Sequence, residues 1–146
     1  MKKRRVLLNA TLLMLFLGLV MPQNAQDVPT SAERSNQPRR MVAINVLRTI
    51  NTAEFLEQST HGSFASWETL LERHSQYFDE FIAMHGQQIG TAHFANPPEI
   101  LTGLKLRLSV HINGQGYDVL LEDTADKTGY AVLSDERAVI RECKWI

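Results

Sequence analysis

Leu104-Lys105-Leu106-Arg107-Leu108-Ser109-Val110-His111-Ile112 alternates apolar and polar residues without a break, and Asn113-Gly114-Gln115-Gly116 follows directly. Successive side chains of a strand point to opposite faces, so this alternation predicts a half-buried β-strand. The quartet after it predicts a tight hairpin turn, because asparagine and glycine accept the left-handed backbone such turns need. Tyr117 to Glu122 then returns as a second strand. Asp123 to Gly129 carries turn residues, and Tyr130 to Ser134 is a third strand. Asp135-Glu136-Arg137 turns into a fourth, Ala138 to about Cys143. Four short strands with short connections predict an antiparallel β-meander with one face toward a core.

Upstream of the meander the period changes from two to three and four. Val42, Val46, Ile50 and Ala53, widened by Ala43, Leu47 and Phe55, form one apolar stripe of a helix from about Arg39 to Ser59. Arg48, Asn51, Thr52 and Glu57 fall largely off that stripe. Pro38 suits the helix start, where its missing N–H has no intrahelical partner to lose, and Gly62 ends the unit. Ser66 to His85 predicts a second helix. Ser66 stands at its cap, Gly86 at its stop, and Trp67, Leu70, Leu71, His74, Tyr77, Phe78, Phe81 and Ile82 form a dense apolar band. Gly90 to Gly103, with Pro97-Pro98, reads as an irregular crossing loop. The expected fold is therefore α+β: an N-terminal helix, a second helix in the connecting region, then a four-stranded antiparallel meander packed on the first helix.

Leu47-Arg48-Thr49-Ile50-Asn51-Thr52-Ala53-Glu54, followed by Gly62, Phe64 and Leu70, resembles the head-proximal sequence of type IV pilin-like and type II secretion pseudopilin proteins. The hairpin ending at Gly116-Tyr117 and the terminal Val139-Ile140-Arg141 are similar to their C-terminal strands. The resemblance covers about residues 42–142, and only the eight-residue run is distinctive. It implies a head built on a long helix and a four-stranded meander, with Arg48, Thr49, Asn51, Glu54, Gly62 and Phe64 as signature residues of structural role. One departure limits what carries over. Pilins have a short basic leader cut before a segment with a glutamate near its start, and that glutamate serves assembly. The N-terminal apolar run here holds no glutamate, so the resemblance implies a soluble variant of the head without a filament role.

The N-terminus reads instead as an ordinary export signal. Lys2-Lys3-Arg4-Arg5 precedes an apolar run from Val6 to Val20, too short for a typical membrane span. Residues 1–25 are a signal peptide or, if uncleaved, a signal anchor; 26–38 are a polar linker with Pro29 and Pro38; 39–146 form the domain. The expected location is periplasmic or secreted, or anchored in the inner membrane facing the periplasm.

Charge divides at the same boundary. The overall net charge is −1, but no acid precedes Asp27, so from Gln26 onward 11 Lys and Arg face 16 Asp and Glu. An acidic domain without a cationic cluster argues against nucleic-acid binding. Cys143 is the single cysteine, which excludes an internal disulfide and is expected to be buried.

Recognisable chemistry is sparse. His61, His74, His85, His93 and His111 form no close pair of metal-ligand spacing, and no zinc, phosphate-loop or dinucleotide motif is present. Glu68, Glu72, Asp79 and Glu80 read as a solvated helix face. Gly62-Ser63-Phe64 is not a nucleophile elbow. No catalytic residue, metal or cofactor is expected. Arg48 and Asn51 are expected to tie the helix to the sheet or the following loop. The expected function is an exported, non-enzymatic interaction module whose partner is an envelope protein or complex. The alternative is a periplasmic small-molecule-binding or catalytic domain with a pocket between the second helix and the sheet.

Overall fold

A computed structural model of the protein describes residues 31–144; the export-signal segment and the first part of the linker lie outside the described residues. Among the described residues three helices precede a five-stranded sheet. The helices are α1 (Ser31–His61), α2 (Trp67–Arg73) and α3 (Ser75–Ile89). The strands are β1 (Glu99–Leu101), β2 (Leu104–Val110), β3 (Tyr117–Asp123), β4 (Tyr130–Asp135) and β5 (Arg141–Lys144). The strands lie in chain order and every neighbouring pair is antiparallel, which is a meander. The sheet packs on α1 through β3 and β4, and α2 and α3 pack on α1 as well. The fold is α+β with the long N-terminal helix against the sheet, as the period change predicts.

Register explains the strand pattern. Leu106 stands opposite Leu121, and Leu121 opposite Val132, so all three face α1 and are buried. Arg107, Leu120, Leu133 and Arg141 line up in the same way on the outer face. Val42, Val46, Leu47, Ile50 and Ala53 supply the helix side of the core.

Several boundaries differ from expectation. α1 begins at Ser31, eight residues before Arg39, and Pro38 lies inside it. Proline removes one helical hydrogen bond, and the helix continues because Arg39 and Arg40, just beyond it, are held by Asp123 and Asp126. The second helical stretch is two helices, broken at His74, whose backbone leaves the helical region while its N–H bonds the Leu70 carbonyl. Gly86 is not a stop. It is buried inside α3, where a Cβ would come within 2.7 Å of the Thr91 carbonyl oxygen, and the left-handed Gly90 ends the helix instead. The crossing loop contains β1, a fifth strand too short to show alternation. On the α1 stripe, Phe55 is 67% exposed and Glu57 only 2%, the reverse of their expected places.

Candidate functional site

The signature run is mostly turned inward. Asn51 is buried; its Nδ2 donates to Ser134 Oγ at 3.0 Å, and its Oδ1 accepts from the Tyr117 hydroxyl at 2.9 Å. One side chain on α1 thus joins β3 to β4. Phe64 packs its ring edge-on against Tyr117 at 4.9 Å. Gly62 has φ +79°, a conformation glycine adopts without strain, and its carbonyl accepts from Gln115 Nε2 at 3.0 Å. Arg48 and Thr49 stay on their own helix. Arg48 Nη1 donates to Asn45 Oδ1 and Thr49 Oγ1 to the Asn45 carbonyl, so Arg48 does not make the expected tie to sheet or loop.

Glu54 and Glu57 are both buried but differ in company. Glu54 Oε2 accepts the Ala65 N–H at 3.0 Å, while Oε1 meets no hydrogen-bond partner among the described residues. Burial pushes its carboxyl up to about 7, against the smaller downward pull of that N–H, and the charge of Glu57 adds to the rise. Glu57 gathers basic side chains instead. Arg73 Nη1 donates to Oε1; His74 Nε2 lies 3.0 Å and His61 Nδ1 3.2 Å from Oε2. Burial acts upward on Glu57 too. The hydrogen bonds from His74 and Arg73, with the charges of Arg73 and His61, outweigh it and hold the pKa below the ordinary glutamate range. Glu57 therefore binds the end of α1 to the α2–α3 break.

The N-terminal half of α1 is fastened to the sheet by arginines. Arg39 donates Nε and Nη2 to the Asp123 carboxylate, and Arg40 donates both to Asp126 Oδ2 at 3.0–3.1 Å. The Arg40 guanidinium also lies 4.6 Å over the Tyr130 ring. Burial alone would raise Asp126, but Thr128 and Arg40 bind its carboxylate and lower the pKa.

Aromatic side chains pack against one another around the second helical stretch. Trp67, Phe78 and Phe94 contact one another edge-to-face at 5.2–5.8 Å, Phe81 joins them, and Trp67 Nε1 donates to the Ala95 carbonyl at 3.1 Å. A hollow of about 280 Å³ opens between the C-terminal part of α1 and β3, floored by Asn51, Phe64 and Tyr117 and rimmed by Phe55, Gln58 and Gln115. Val139, beside it in sequence from Ala138 on the same rim, is exposed.

Glu68, Glu72, Asp79 and Glu80 all face solvent. Cys143 is half-buried on the outer sheet face opposite Ala131, and not in the core, because β5 is an edge strand. Among the described residues no three His, Cys, Asp or Glu side chains are placed to hold a metal ion. No described helix is long and apolar enough to cross a membrane. The Glu57 cluster went unread in the sequence, where the first helix is expected to end near Ser59, short of His61. Comparison with known protein families, curated proteins and solved structures returned no match for the chain.

Proposed function

We propose that this protein is an exported, pilin-like interaction module of the bacterial envelope, without enzymatic activity. The observation that carries the proposal is the direction of its polar and apolar groups around the C-terminal half of α1. Asn51, Glu54 and Glu57 are engaged within the fold, whereas Phe55 stands in solvent on the rim of the hollow over Tyr117, and Val139, next in sequence to the rim residue Ala138, is exposed. Polar groups that serve packing do not converge on a reacting molecule, and exposed aromatic and aliphatic side chains beside a groove favour protein contact. The export signal directs such a module to the envelope.

Photo-crosslinking tests this. A photoreactive side chain replaces Phe55 in the full chain, with Glu68 as the control position, in a bacterial cell that exports the protein. The expected result is an envelope-fraction protein that crosslinks to a defined envelope partner from position 55 and not from 68. Cytosolic retention, or identical background at both positions, would overturn the role.

A further inference from the structure

The sheet has an edge that is closed for half its length and open for the rest. β1 pairs with β2 only at Lys105 and Leu104, and the Leu106 N–H reaches the Pro98 carbonyl at 2.7 Å. Among the described residues no strand lies beside β2 on that side from Arg107 onward. Backbone groups alternate between the two sides of a strand. Since the Leu106 N–H points to the β1 side, the N–H and C=O groups of Leu108 and Val110 point to the same, open side. Their side chains are half-buried against the core, and Ile112 beyond them is fully exposed. An open hollow of about 560 Å³ runs along Ser109 to Asn113. Sheet edges are usually blunted by proline or lysine. Here Pro97 and Pro98 flank the closed half and neither residue type occurs from Arg107 to Ile112.

We propose that this edge takes up an extended segment of a partner protein, apolar at alternate positions and acidic between them. This rests on the interaction-module role and names its partner class. The open backbone groups select an extended strand. Leu108 and Val110 select apolar residues on the side continuing the core. The charges select the residues between. Arg107 and His111 lie on the outward face of β2 beyond the closed half, and among the described residues Arg107 reaches Glu122 through Nη2 alone. His111 contacts Asp118 from the β3 side at 2.9 Å. A second copy fits less well. Pairing two β2 edges antiparallel beyond the closed half, centred on Ser109, sets Leu108 opposite Val110 but Arg107 opposite His111, so cations meet whenever the histidine is charged.

The test uses the protein as purified from the exporting cell and a short synthetic peptide of alternating valine and glutamate, with a valine–lysine peptide as comparison. Amide exchange of Leu108 and Val110 should slow on adding the glutamate peptide only. Val110→Pro removes an N–H that the fold leaves unused, and should weaken binding by about tenfold, the scale of one lost hydrogen bond with its neighbouring contacts. Arg107→Glu, an exposed change independent of any effect of proline on folding, should reverse the peptide preference. The edge assignment is overturned by absence of binding, by equal binding of both peptides, by indifference to both variants, or by self-association that Val110→Pro abolishes. A position-55 crosslink that persists in any of these cases leaves the interaction-module role standing and removes only the edge.

Discussion

Glu54 and Glu57 lie three residues apart on α1, both of them buried, and the fold treats them in opposite ways. Glu57 is surrounded by Arg73, His74 and His61, and remains charged. Glu54 has one backbone N–H and a neighbouring negative charge, and holds its proton to about pH 7. A buried carboxylate is tolerated when cations compensate its desolvation, and otherwise is tolerated chiefly as the neutral acid. The same residue type on the same helix thus acts as an ionic clasp in one place and as a neutral hydrogen-bonding group in the other.

Breaking the clasp should have the largest effect. Glu57→Ala leaves Arg73 and His74 without their shared carboxylate and is expected to lower unfolding free energy by about 3 kcal/mol, measured by urea denaturation at neutral pH. Glu54→Ala would leave one unpartnered N–H, that of Ala65, and no arginine stripped of its carboxylate.

Acidity should separate the pair next. The folded pKa of Glu54 lies above its unfolded value of 4.5. Its contribution is therefore full below pH 4.5, and is lost as pH rises to about 7, by up to about 3 kcal/mol. Glu57, held below 4.5, behaves inversely: its contribution is present above 4.5 and lost as pH falls through the folded pKa. Glu54→Gln should flatten the loss of stability between about pH 4.5 and about pH 7 while leaving the acid limb unchanged. A variant as pH-dependent as the parent over that range would show that Glu54 is not the titrating group.

The other end of α1 sharpens the contrast. Arg40 is mostly buried over Asp126 and Tyr130, so Arg40→Ala should cost about 2 kcal/mol in the same denaturation experiment. Arg137 holds Asp135, whose carboxyl it lowers to about 2, but Arg137 itself is largely exposed and Arg141 reaches the same carboxylate. Arg137→Ala should leave the thermal midpoint unchanged within error, since exposed ion pairs contribute little.

Residue periodicity alone determined much of this protein. Alternation over Leu104–Ile112 specified a half-buried strand and its inward face, and the three-and-four spacing of Val42, Val46, Ile50 and Ala53 specified the buried side of α1. Both signals are local, because a side chain's direction follows from its place in the helix or strand. Tertiary structure decided whether a polar group on that face could stay there. Glu57 is buried because Arg73 and His74 arrive from another helix; Asn51 because Tyr117 and Ser134 arrive from the sheet; α1 continues through Pro38 where Asp123 and Asp126 hold the arginines beyond it. Desolvation of a charge is offset only by partners within a few ångströms, and here those partners lie from 16 to 86 residues away along the chain.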